Sequence, residues 1–211
     1  MKLLFPKSIS YLFHPLFMPS LGLFYMFFSK KIMGFNIYAP TQSYQDNYTI
    51  FLVTLTFSLL LPTIFVFILK KKGEIKSYHM EHKEERLLPF SFIAVCMICA
   101  FYLLFFYFDV QVQPLVKVFY AGCIISIVFS LFITLSWKIS VHMVGVGGFT
   151  GALFLLNYTS ESDMLPALCA AFVISGVVAY SRLTLKAHSL KQVVAGFALG
   201  FVSETFLLIL Y

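Results

Sequence analysis

The sequence predicts an all-α fold, a polytopic membrane bundle of six to seven transmembrane helices. Three observations carry that expectation. Of the 211 residues, 60% are hydrophobic and only 11% charged, against about 45–50% apolar in soluble domains. Mean hydropathy is +0.90. The apolar residues also gather into runs of about 20, the length a helix needs to cross about 30 Å of hydrocarbon.

Taken in order, the runs fall near residues 9–28, 49–69, 89–108, 114–136, 142–157, 164–180 and 190–210. The first contains His14, Pro15 and Pro19, and two readings stay open for it: a kinked span, or a helix lying in or re-entering the interface. Lys2 and Lys7 precede it without a small-residue cleavage site, so an uncleaved first segment is expected. The second run ends in the longest polar stretch, Lys70 to Arg86, which reads mostly as a solvated loop. The fourth ends at Trp137, a residue suited to a membrane boundary. Gly145, Gly147, Gly148 and Gly151 in the fifth, and Gly196 and Gly200 in the last, recur at the spacing of close helix packing, which explains them better than a phosphate-cradling loop does.

Nothing in the chain separates two domains. One membrane domain over residues 1–211 is expected, with its chemistry-bearing core at about 80–200. The cysteines Cys96, Cys99, Cys123 and Cys169 all lie in apolar runs, where thiols act as small hydrophobes. Cys96-x-x-Cys99 lacks a second ligand pair, so no metal site is expected. The net charge of +6 is scattered over loops, which argues against nucleic acid as a partner.

Polar groups at the ends of apolar runs are functional candidates by default. Here they form blocks: Arg86 with Pro89 behind it, Lys138-Ile139-Ser140-Val141-His142, and Ser181-Arg182, five residues, His188, three residues, Gln192. Two runs separate each block from the next, so parity puts all three on one side of the membrane. Twelve of the fifteen Lys and Arg fall on that side and three on the other, which by the positive-inside rule makes it cytoplasmic.

The spacing of these blocks resembles the type 2 phosphatidic acid phosphatase superfamily, whose signatures are Lys-x6-Arg-Pro, Pro-Ser-Gly-His and Ser-Arg-x5-His-x3-Asp. The resemblance covers about residues 80–200. It implies a metal-independent and cofactor-free lipid phosphatase that works through a phosphohistidine. Matched position by position, His188 would be the nucleophile and His142 the acid that protonates the leaving oxygen and later activates water. Arg182, with a planar fork suited to bidentate contact, would hold the phosphoryl group together with Ser181, Ser140, Lys138 and Arg86. The sequence departs from the pattern in places. Ile139 and Val141 stand where Pro and Gly are usual, and His79 stands seven before Arg86, leaving Lys83 to take the part of the lysine. Gln192 replaces the usual Asp, as in the dolichyl-diphosphatase branch. One helical turn from His188, its amide oxygen can accept an Nδ1–H bond and set the tautomer.

The implied substrate is a lipid phosphate or diphosphate, with polyprenyl diphosphate or phosphatidate-like lipids as candidates, and the implied location is a bacterial inner membrane. A rival of another class is a non-catalytic membrane subunit or lipid-binding protein that kept the fold, which the worn first motif and Gln192 favour. Retention of Arg182, His188, Ser140 and His142 together opposes it. A transporter would show broken helices in repeated halves, and no such repeat is legible.

Overall fold

Proline and glycine set the helix ends in the computed structural model, which describes residues 3–33, 44–78, 80, 82, 84–108, 110, 112, 114–159 and 164–206. Among the described residues nine α-helices follow one another: α1 (Leu4–Leu12), α2 (Met18–Met33), α3 (Tyr44–Leu55), α4 (Leu61–Lys72), α5 (Leu87–Tyr102), α6 (Pro114–Ser136), α7 (Val141–Thr159), α8 (Leu165–Thr184) and α9 (Leu190–Thr205). Proline opens α6 and stands in the first turn of α8, where its missing N–H costs no helical bond, while Pro62 follows the π-turn that leads into α4. Gly73, at φ 79°, closes α4 in the left-handed conformation that favours glycine.

The second run is α3 and α4 joined through a π-turn at Thr56–Leu60, giving one apolar span over Gln45–Lys72. A π-turn likewise extends α5, and the span covers Glu84–Tyr107. Among the described residues six stretches are long and apolar enough to cross a membrane, and α9, with 16 residues, is the seventh segment of the bundle. The expected all-α membrane fold is what the chain adopts.

The first run is broken. His14 precedes a proline and is pushed to extended backbone (φ −67°, ψ 136°), because the proline ring disfavours the helical region for the residue before it. A short 3₁₀ turn, Pro15–Phe17, then leads into α2. The run is therefore two helices meeting at a corner. Ile9 and Phe13, at the α1 end, pack with Ile174, Val178 and Ala179 of α8, while Leu23, Met26 and Phe27 of α2 enter the main core.

Glycines let α7 and α9 approach until their backbones touch. A Cβ at Gly196 would lie 2.6 Å from the Ser140 carbonyl oxygen, and side chains at Gly147 and Gly200 would collide with the Phe197 and Val144 carbonyls. This is the packing use of small residues that the spacing suggested. Outward, the bundle presents large apolar side chains such as Phe106, Phe132 and Val173, as a lipid-facing surface requires. The α4–α5 loop, the α6–α7 loop and the α8–α9 turn meet at one end of the bundle, where Arg86 Nη1 donates to the Ile139 carbonyl and the Ser140 N–H bonds the Gln192 carbonyl near the start of α9.

Candidate functional site

At that end a cavity of about 1270 Å³ opens among the helices. Arg86, Lys138, His142, Arg182 and His188 all line it. Blocks separated by a hundred residues of sequence thus converge, as parity allowed.

His188 sits on the turn between α8 and α9, buried at 8% exposure. The turn is built by Leu185 and Ala187 donating N–H back to the Ser181 and Arg182 carbonyls, with Lys186 forced to a positive φ of 52°. A non-glycine residue in that region stores strain, which clusters at functional sites. Ser189 then caps α9, accepting from the Gln192 N–H, while the Gln192 side chain accepts from the Ser189 N–H at 3.1 Å. The same atom, Oε1, lies 3.1 Å from His188 Nδ1. Two donors aim at it, so it is the amide oxygen, and Nδ1 must carry the proton. The unprotonated nitrogen of His188 is Nε2.

Burial and then the charge of Arg86 hold the His188 imidazole down to about 3, with Arg182 and Lys138 pushing the same way and the Gln192 bond opposing them. Near neutral pH the ring is uncharged. A nucleophile needs that state.

His142 opens α7. Its Nε2 lies 3.1 Å from the Ser10 carbonyl oxygen, which can only accept, so Nε2 carries the proton and Nδ1 is the basic nitrogen. That Nδ1 is buried and has no hydrogen-bond partner. Ser10 also accepts, through its hydroxyl, from Arg182 Nη1 at 3.1 Å, and Arg182 Nε is left unpartnered. His14 lines the same cavity, its ring edge-on to His142 with centroids 5.5 Å apart. Ser10 and His14 were not candidates from sequence. No motif spacing links them to His142 or Arg182, and the corner before Pro15 is the only local sign of them.

Arg86 is 5% exposed and works as a staple: Nε donates to the Met80 carbonyl at 2.9 Å and Nη1 to the Ile139 carbonyl at 3.1 Å. It ties the α4–α5 loop to the α6–α7 loop. Met80, held by this bond, is a second non-glycine residue at positive φ, 45°. Lys138 lines the cavity from the opposite loop.

Two expected phosphate contacts are corrected by the geometry. Ser181 is fully buried and donates to the Val177 carbonyl of its own helix at 2.9 Å. Ser140 is fully buried where α7 meets α9, and its backbone N–H bonds the Gln192 carbonyl at 3.4 Å. Neither lines the cavity. The reason for Ser181 is helical: successive residues point about 100° apart, so a helix end that aims Arg182 at the cavity turns its neighbour into the packing. Lys83 lies outside the described residues.

Among the described residues no group of three or more His, Cys, Asp or Glu side chains is placed to hold a metal ion. What the site offers instead is two imidazoles oriented by hydrogen bonds, the guanidiniums of Arg86 and Arg182, and the ammonium of Lys138 around one cavity. Comparison of the chain with protein-family models, with characterised proteins and with solved structures finds no match.

Proposed function

We propose that the protein is an integral-membrane lipid phosphatase of the type 2 phosphatidic acid phosphatase kind, hydrolysing a lipid phosphate or diphosphate through a phosphohistidine. One observation carries the reading: His188, with Nε2 unprotonated by virtue of the Gln192 contact, shares a cavity with Arg86, Arg182 and Lys138. Positive groups placed where charge builds on a transferring phosphoryl group are the main catalytic resource for such chemistry.

In this mechanism His188 Nε2 forms a bond to phosphorus as the bond to the lipid-side oxygen breaks. His142 takes up a proton on Nδ1 as the phosphate anion enters the site and gives that proton to the leaving oxygen. A water deprotonated by His142 then attacks the phosphohistidine, the N–P bond breaks, and inorganic phosphate leaves with the enzyme restored. No metal is required, since the cations of the site are side chains. Polyprenyl diphosphates are the favoured substrates and phosphatidate-like lipids the next. The site is proposed to face the cytoplasm of a bacterial inner membrane. Single cysteines replacing His82 and Lys186 should then be shielded from an impermeant reagent outside cells, and one replacing Tyr158 should be labelled.

The deciding experiment is phosphate release from a panel of lipid phosphates and diphosphates by the purified protein in detergent, with acid-labile phosphoenzyme sought at short times. Release by wild type and its loss in His188→Ala are expected. Folded wild-type protein that releases no phosphate from any lipid overturns the reading.

One observation favours the rival, a lipid-binding subunit without turnover: Ser10 already occupies a donor on both His142 and Arg182. In that case lipid phosphates would bind, Arg182→Ala would weaken them, and none would be cleaved.

A further inference from the structure

The cavity does not end at the histidines. It continues inward between α6, α7 and α9 to Glu204. That residue is 1% exposed, yet its Oε2 has no hydrogen-bond partner. Its Oε1 receives only a long contact from Cys123 Sγ, at 3.5 Å. Glycines make the room for it: a Cβ at Gly122 would lie 2.5 Å from Oε2, and one at Gly151 would lie 3.0 Å from the Glu204 Cβ. The carboxyl group is seated, and it faces space.

Three hydroxyls on α6 share its condition, those of Ser126, Ser130 and Thr134, and the first two line the cavity. Ser126, at 8% exposure, and Ser130, fully buried, line the cavity with no partner for Oγ. Thr54, Thr150, Ser181 and Thr205 each turn the hydroxyl back onto the carbonyl four residues earlier, at 2.7 to 2.9 Å, which is how helical Ser and Thr ordinarily satisfy themselves in an apolar setting. Ser126 and Ser130 do not. With Gly122, which touches Glu204, they follow one another at four-residue steps, so the polar atoms form a line down one face of α6.

The depth of that line follows from the helices. The Gln192 carbonyl bonds the Ser140 N–H, so α9 and α7 start level. Glu204 is 12 positions beyond Gln192 and touches Gly151, 11 positions beyond Ser140, which at 1.5 Å per residue puts it about 16–18 Å below the histidines. That is near the middle of a hydrocarbon layer about 30 Å thick. An ionisable side chain at such a depth is expensive to keep, and buried polar groups without partners are rare enough to require an explanation.

We propose that Glu204, Ser126 and Ser130 form a second binding subsite, which takes a hydroxyl group carried partway along the chain of a lipid inserted in the cavity. A hydroxyl both donates and accepts, so it matches a carboxyl group and two serine hydroxyls without bringing another charge into the bilayer. A wholly hydrocarbon chain, polyprenyl or acyl, would leave the three groups unsatisfied, so within either headgroup class the subsite ranks the lipid with a chain hydroxyl first, as sites built for a hydrogen bond disfavour analogues lacking it. The subsite rests on the phosphatase reading only for the end of the lipid that meets Arg182 and His188. The hydroxyl preference stands without it.

The experiment compares lipid binding to the full-length protein in nanodiscs. One pair of probes is phosphatidic acid with a mid-chain hydroxystearoyl group against its stearoyl counterpart. The other is methyl hydroxystearate against methyl stearate. Wild type should favour the hydroxylated member of both pairs by about tenfold, the worth of one net buried hydrogen bond. Glu204→Gln, which keeps a hydrogen-bonding group, should retain most of the preference, and Glu204→Leu should lose it. Should the leucine variant fail to fold, the Ser126→Ala, Ser130→Ala double variant, a far smaller change, carries the test and should reduce the preference at least threefold. Equal binding within both pairs by wild type, or a preference untouched in the variants, overturns the proposal. A preference in both pairs with no advantage from the phosphate would instead uphold the subsite and count against the phosphatase reading.

Discussion

The two imidazoles of the site are held in the same way by very different means. Each has one N–H pinned by an oxygen that can only accept, at 3.1 Å, so that the other nitrogen is left basic. For His188 the oxygen belongs to Gln192, one turn along the same segment. For His142 it is the backbone carbonyl of Ser10, 132 positions away on a helix outside the motif-bearing half. The first is a local device written in a four-residue spacing. The second exists only because the chain turns a corner at His14 and lays α1 against α8. Orientation of a catalytic ring needs an acceptor in place, and a backbone carbonyl serves as well as a side chain while leaving no mark in the residue types.

The hardest way to break the pair is to remove one ring. His188→Ala should reduce phosphate release on the order of 10⁴-fold or more and abolish the phosphoenzyme, as loss of a nucleophile does in covalent hydrolases. His142→Ala should slow turnover by about 10²–10⁴-fold, the range for a general acid–base group, and spare substrate binding. Quench-flow with labelled substrate checks both. Wild-type turnover in His188→Ala would show that the nucleophile lies elsewhere.

Next come the holders. Gln192→Leu releases His188 and should cost on the order of 10²-fold in kcat, while Gln192→Asp should be tolerated or improve the rate by restoring a charged acceptor. Gln192 is also half of a capping box, so the leucine variant loses about 1 kcal/mol of stability as well. Rescue of kcat by Asp, at matched melting temperature, separates the two effects. For the other ring, Ile9→Asp should undock α1, because Ile9 packs in the cluster with Val178 and Met143. Turnover should fall about as far as in His142→Ala if the Ser10 carbonyl is what orients that ring.

How much of this was legible follows the same division. The seven apolar runs, the convergence of three polar blocks on one face and the His188–Gln192 contact all rest on local periodicity or on counting spans. The glycine rows of α7 and α9 could also be read, because a four-residue recurrence is itself a helical pattern. Ser181 and Ser140 were misplaced as phosphate contacts: a motif gives the order of side chains along a strand of sequence, whereas a helix end sends neighbours in different directions. Ser10, His14 and Glu204 were beyond reach, since each is defined by what packs against it from a distant segment.

A smaller effect concerns protons. With its ring held down to about 3, mainly by burial and the charge of Arg86, His188 binds fewer protons in the folded protein than in the unfolded chain from about pH 6.5 downwards. Stability should therefore rise with pH between about 3 and 6.5 and be fully present above that window. His188→Gln should flatten the rise in a series of melting temperatures across that range. The same shift means that phosphoenzyme formation, measured in a single turnover, should show no acid limb from His188 between about pH 5 and 8. A limb near pH 6.5 that vanished with His188 would contradict the buried, positively flanked setting.

The smallest effect is the sharpest test of the comparison. Ser10 touches the site twice, through its carbonyl to His142 and through its hydroxyl to Arg182. Ser10→Ala removes only the second contact. Arg182 keeps its charge and its unpartnered Nε, so it can still meet a phosphoryl oxygen, but its plane is no longer fixed. A rise in KM of about threefold is expected, less than one full hydrogen bond to a charged group. The carbonyl remains, so kcat should stay within about twofold of wild type, as expected where only uniform substrate binding is lost. A large fall in kcat in Ser10→Ala, with α1 shown to be docked, would mean that the hydroxyl and not the backbone sets the geometry of the acid–base pair. The parallel between the two imidazoles would then fail at its second member.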